Sequence, residues 1–114
     1  MAGFKFQTSK FSFPISDEND NEIKTYVIDI GNESFLRSIL TKGKEVINDV
    51  SNDENDIDAS KKTLKSFVDL VFGEGEFDFL YGKFDKNLFA MIELVRAISK
   101  EIEAKWKSRV SVYE

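Results

Sequence analysis

Two glycines one residue apart, in Phe72-Gly73-Glu74-Gly75-Glu76-Phe77, break a hydrophobic pattern that is helical on both sides. A helix does not run on through such a pair. Each glycine costs about 1 kcal/mol of helix propensity against alanine, and the left-handed conformation it permits ends a helix. The chain must therefore fold as separate amphipathic helices hinged at this joint. The joint is acidic and follows a helix rather than a strand, so its glutamates would repel a pyrophosphate; it suits the arrangement of apolar helices and not the cradling of phosphate.

The hydrophobic supply is large for a chain of 114 residues, with 11 Phe, 3 Tyr and one Trp. Each buried aromatic removes about 150–250 Å² from water, and a domain of this length buries about two-thirds of its unfolded surface. One α+β domain over residues 1–114 is expected: a β-hairpin over 1–30, a helical part over 31–109 and a tail over 110–114. The absence of Cys excludes a disulfide framework and thiolate metal sites and fits a reducing compartment. A net charge of −5 disfavours nucleic acid, whose backbone needs clustered Lys and Arg. No run approaches the roughly 20 apolar residues that span a bilayer, and the N-terminus lacks the apolar stretch of a secretory signal. The expectation is a cytoplasmic protein that stays where it is made. Asn32-Glu33-Ser34 fits a glycosylation triplet but reads as a helix start.

Along the chain, Phe4 and Phe6 fall in one alternating phase and Phe11 and Phe13 in the other, which predicts a strand over 4–13 with a bulge or turn near Thr8-Ser9. A loop over 14–22 follows, opening at Pro14, and then a strand over 23–30 with Tyr26, Ile28 and Ile30 on one face. Asn32 is the expected N-cap of a helix carrying Phe35, Leu36, Ile39, Leu40, Val46, Ile47 and Val50, with Gly43 as a close-packing position on the same arc. Residues 51–58 read as a polar connection, with Asp58 or Ser60 capping a helix that carries Leu64, Phe67, Val68, Leu70, Val71 and Phe72 and stops at Gly73. Phe77, Phe79, Leu80, Tyr81 and Phe84 crowd a short helix or turn broken by Gly82. Asp85 is the expected cap of a final helix to about residue 109.

That final helix is apolar all round in its first half. Leu88, Ile92, Val95, Ile102 and Trp106 form one stripe, while Phe89, Ala90, Leu94 and Ala97 continue round the other side. Two readings are open: the helix is enclosed within its own domain, or part of it awaits another chain. The aromatic cluster is similarly open between a mini-core sealing the helix ends and a binding epitope that uses Phe77, Phe79 and Tyr81.

Chemistry-bearing constellations are weak. Asp17-Glu18-Asn19-Asp20-Asn21-Glu22 matches the first ligands of a calcium loop, but Glu22 stands where a glycine is needed and Ile28 where a bidentate carboxylate should be. Asp53, Asn55, Asp56 and Asp58 are spaced more poorly still. Glu74 and Glu76 could in principle share acid–base work, yet nothing specifies a nucleophile, an oxyanion hole or a metal. No catalytic, cofactor or metal residue is assigned.

The opening Phe4-Lys5-Phe6, the strand-like Tyr26-Val27-Ile28-Asp29-Ile30 passing directly into a helix, and Phe67-Val68-Asp69-Leu70-Val71-Phe72-Gly73-Glu74-Gly75 followed by Phe77, Leu80-Tyr81-Gly82, Asp85 and a long closing helix with Lys105 form an ordered set. In this order of parts the chain resembles the small tail-assembly chaperones of long-tailed phages and prophages of Gram-positive bacteria. The resemblance covers most of the chain and rests on a short motif. It implies a non-enzymatic protein, absent from the finished particle, that binds the tape-measure protein and also tail-tube subunits during assembly, in a family whose members are often made in a longer, frameshifted form as well. It transfers no catalytic residue.

The expected function is thus assembly chaperoning by apolar helical contact, with Phe89, Ala90, Leu94, Ala97, Phe77, Phe79 and Tyr81 as candidate partner-binding residues. A calcium-dependent or acidic-loop binding module and a small carboxylate-based enzyme are the alternatives. Homo-oligomerisation is a further expectation, from the doubly apolar helix and from a basic end (Lys105, Lys107, Arg109) that complements the acidic loops.

Overall fold

The computed structural model of the chain describes residues 3–4, 8–52 and 57–111. Strands β1 (Lys10–Ser16) and β2 (Glu22–Asp29) form an antiparallel hairpin; helices α1 (Glu33–Asn52), α2 (Ile57–Phe72), α3 (Glu76–Lys83) and α4 (Leu88–Ser111) follow. This is the expected α+β architecture of a hairpin with three main helices and one short one.

The hairpin differs from its sequence reading in phase and extent. Pro14 lies inside β1, paired with Thr25, and the irregularity falls between Ile15 and Ser16 rather than near Thr8-Ser9. The register explains why proline is tolerated. Ile30 N–H donates to the Ser9 carbonyl, which makes 9/30, 11/28, 13/26 and 15/24 the hydrogen-bonded pairs. Residue 14 then points its backbone nitrogen away from β2, to the free edge, where no ladder bond is lost. Ile15 opposes Lys24 while Ser16 opposes Glu22, so Ile23 is the extra residue of a bulge. The bulge turns Ile23 out of its alternating phase and lets it pack against the core. Phe6 lies outside the described residues, and Phe4 is exposed.

Asn32 caps α1 as expected, its Oδ1 accepting from Phe35 N–H at 3.0 Å. Leu36, Ile39 and Val46 are buried, Phe35 is half-buried and Leu40 is partly exposed; the side chains of Ile47 and Val50 lie outside the described residues. Ser51 and Asn52, read as part of the polar connection, belong to α1, and Asp58 and Ser60 stand in the first turn of α2 rather than at its cap; residues 53–56 lie outside the described residues. Helix α2 contacts α1, α3, α4 and β2. Its Leu64, Phe67 and Val68 are wholly buried with Phe77, Leu80, Met91, Ile98 and Ile102. Full burial of such side chains contributes about 1.5–3 kcal/mol each, so this one contiguous core dominates the fold.

At the joint, Gly73 and Gly75 have φ of 125° and 85°. Asp69 of α2 reaches across the break, and its Oδ1 accepts from Phe77 N–H at 3.0 Å, supplying the side-chain cap that Gly75 cannot. Gly82 does not interrupt α3, which runs to Lys83. Asp85 is not the cap of α4. It and Lys86 are left-handed, with φ of 56° and 58°, and close a turn in which Lys86 N–H donates to the Tyr81 carbonyl at 2.8 Å. The cap is Asn87, whose Oδ1 accepts from Ala90 N–H at 3.2 Å.

The buried stripe of α4 is Met91, Val95, Ile98 and Ile102. Met91 and Ile98 are core positions that the sequence stripe passed over in favour of Leu88, Ile92 and Trp106. Leu88 and Ile92 are half-buried, and Trp106 is 44% exposed at the recess between α4 and α1. No helix of the described residues is long and apolar enough to cross a membrane.

Candidate docking groove

Position along α4 decides which of its apolar residues are available. Taking the face of Met91, Val95, Ile98 and Ile102 as inward, Ala90, Leu94 and Ala97 fall on the adjacent flank at i, i+4 and i+7, and Phe89 falls on the far side. Phe89 is accordingly 77% exposed, Ala97 is exposed and Ala90 half-buried, while Leu94 is buried in the core cluster. The apolar excess of the helix is thus partly absorbed and partly left open.

The open flank faces β1. Phe13, Pro14, Ile15 and Ser16 of the strand form one wall of a groove, Ala90, Glu93, Leu94 and Ala97 of α4 form the other, and Lys83, Phe84, Asp85 and Asn87 of the α3–α4 turn close one end. The groove encloses about 780 Å³. Alanine at positions 90 and 97 keeps the helix wall low; a larger side chain at either would project into the groove. Asp17 and Glu18 of the hairpin loop stand at the rim with Asp85 and Glu93.

The loop bearing Asp17 is satisfied from within. The Asp17 Oδ1 accepts from Asn19 N–H and Asn21 N–H, both at 2.9 Å, and these amide donors hold its carboxyl below the usual carboxylate range. That is the geometry of a self-capped turn. Among the described residues no three acidic side chains gather as a cation cage; Asp53, Asn55 and Asp56 lie outside the description.

Phe77, Phe79 and Tyr81 of α3 are not brought together as one surface. Phe77 is fully buried and stacks on half-buried Tyr81 with ring centroids 5.4 Å apart. Phe79, 39% exposed, lies beneath the ammonium groups of Lys24 and Lys83 at 5.3 and 5.7 Å. Phe72 meets Tyr26 at 4.6 Å and Phe13 at 6.0 Å, so this one ring of the cluster seals the hairpin onto the end of α2.

Glu76, weighed in the sequence with Glu74 as a carboxylate pair, has a structural tie instead. It accepts from Lys24 Nζ at 2.6 Å and from the Tyr26 hydroxyl at 2.8 Å, which fastens β2 to α3. Lys24's hydrogen bond is the main cause holding the Glu76 carboxyl low, and burial, then Glu76, pushes the Tyr26 phenol up. No charge pattern in the sequence singled out this pair, because 24, 26 and 76 meet only through the fold.

A second, smaller recess of about 360 Å³ lies between α1 and α4, lined by Ile39, Leu40, Gly43, Ser99 and Trp106 among others. The Ser99 hydroxyl is buried there without a hydrogen-bond partner among the described residues. Gly43 makes the close approach: a Cβ on it would stand 3.5 Å from the Phe67 ring and 3.5 Å from Ser99 Oγ.

Comparison of the chain with protein-family profiles, with curated proteins and with solved structures returns no match.

Proposed function

We propose that this chain is a non-enzymatic assembly chaperone that holds a protein client by apolar contact. The observation that carries the reading is the groove in which the flank of α4 bearing half-buried Ala90 and exposed Ala97 faces β1, with buried Leu94 between them. Apolar side chains lining a concave surface, with charged groups beside them, can accept the apolar face of an amphipathic helix. The setting comes from the sequence resemblance: tail assembly in a long-tailed phage or prophage, with the tape-measure protein as client, the tail-tube protein as a second partner, and the bacterial cytoplasm as location.

The test is co-expression with segments of a tape-measure protein from the same genome. The wild type keeps at least one segment in solution and co-purifies with it, and Ala97→Arg, which blocks the groove from an exposed position, abolishes both effects. Tape-measure segments that behave alike with and without the chain would refute the tail assignment.

A further inference from the structure

We propose that the groove between β1 and α4 accepts an amphipathic α-helix with a basic polar face, laid along α4; this rests on the docking reading above and specifies the occupant. The charge at the rim is one-sided. Asp17, Glu18, Asp85 and Glu93 stand there against a single ammonium, Lys83. None of the four carboxylates enters an ion pair among the described residues. The Lys83 ammonium lies against the Phe79 ring, 5.7 Å from its centroid. Apolar lining from Phe13, Ile15, Phe84 and Leu94, set beside carboxylates that form no ion pair among the described residues, complements a partner whose apolar stripe is flanked by Lys and Arg, and the negative charge steers that partner inward before contact.

The occupant is a helix and not an added strand. Lys10, Ser12, Pro14 and Ser16 turn their backbone groups to the free edge of β1, and Pro14, on the groove wall, has no N–H to give. A strand laid along that edge would lose a ladder bond there. A helix needs no such bond, and alanines at 90 and 97 let its backbone approach α4 at about the 8–10 Å interaxial distance of packed helices. From Asn87 to Ala97 the helix rises about 15 Å, nearly three turns. A second copy of this chain is a poor occupant. Two cations of its basic end already have partners within α4, Lys105 on Glu101 at 3.5 Å and Lys107 on Glu103 at 2.9 Å.

The test titrates the full chain by calorimetry with three synthetic peptides of about 18 residues, long enough for five helical turns. One places leucine at helical spacing with lysine elsewhere. The second substitutes glutamate for lysine, and the third alternates leucine and lysine to favour a strand. Only the helical lysine peptide is expected to bind. Its affinity falls about tenfold or more in Ala97→Arg, as for the loss of a central contact. It weakens several-fold in Asp85→Asn with Glu93→Gln, and when salt is raised from about 50 to about 500 mM. Equal binding of the glutamate peptide, preferred binding of the strand peptide, or indifference to Ala97→Arg in a variant that circular dichroism shows to be folded overturns the inference. A dimer that Ala97→Arg dissociates, with no peptide bound, overturns it too. Tape-measure binding without peptide binding sinks this inference alone, and the converse sinks the tail assignment alone.

Discussion

Glu76→Gln keeps the shape of the side chain that fastens the hairpin to the joint and removes its charge. Two hydrogen bonds change. The bond from Lys24 is made by a side chain 44% exposed, so solvent screening limits it to about 0.5–1 kcal/mol. The bond from the Tyr26 hydroxyl is made by a buried residue to a carboxylate, worth about 1.5–3 kcal/mol, and an amide oxygen retains about half of it. The variant should therefore lose about 1.5–2 kcal/mol. Urea unfolding followed by Trp106 fluorescence and by far-ultraviolet circular dichroism measures this, with an unchanged slope if both states keep their compactness. Tyr26→Phe removes the same bond from its other end. The double variant should lose less than the two single losses together, by about 1 kcal/mol. The pH dependence has a definite sign. Because the folded Glu76 carboxyl titrates below its ordinary 4.5, its contribution is present above that pH and is lost as pH falls through the folded value. The raised Tyr26 phenol contributes below its ordinary 10.0 and loses that contribution only in more alkaline solution, so it plays no part in the acid limb. Strictly additive losses in the cycle, or a gap between wild type and Glu76→Gln that stays constant to about pH 2, would refute the tie.

Other outcomes follow from single positions. Gly43→Ala should raise stability by about 0.5–1 kcal/mol in urea unfolding, since the new methyl meets its neighbours at ordinary contact distance and the helix gains propensity. Ser99→Ala should add about 1 kcal/mol by removing a buried hydroxyl that has no partner among the described residues. Lys86→Gly should stabilise by about 0.5–1 kcal/mol, because relief of a left-handed lysine outweighs the added freedom of the unfolded chain. Gly75→Ala should cost about 1–2 kcal/mol from its φ of 85°, although a Cβ there would meet open space; thermal melts order these last two variants on either side of wild type.

Much of the scaffold was readable before the fold was known, because it follows from period and punctuation. The glycine pair at 73 and 75, the Asn32 cap and the face shared by Tyr26, Ile28 and Ile30 are all local signals, and all three hold. What escaped depends on neighbours distant in sequence. Pro14 looked like a loop residue because the sequence does not say which strand edge is free. Asp85 looked like a cap because a left-handed aspartate and a capping aspartate share one composition. The groove was half legible: the surplus on α4 was visible, but which part the core absorbs depends on how α4 is rotated over α2, and that rotation buries Leu94 while leaving Ala97 open. The Lys24–Tyr26–Glu76 tie had no signal at all.

The single proline of the chain has a consequence for the protein at high concentration. A two-stranded ribbon offers its rims to copies of itself, and edge-to-edge stacking is how such ribbons grow into fibrils. By withholding one amide from the rim of β1, Pro14 interrupts that stacking in register, so copies of the chain can be concentrated without polymerising along this strand. Pro14→Val, harmless to the ladder with β2, would expose the hazard as thioflavin-positive aggregates on prolonged storage.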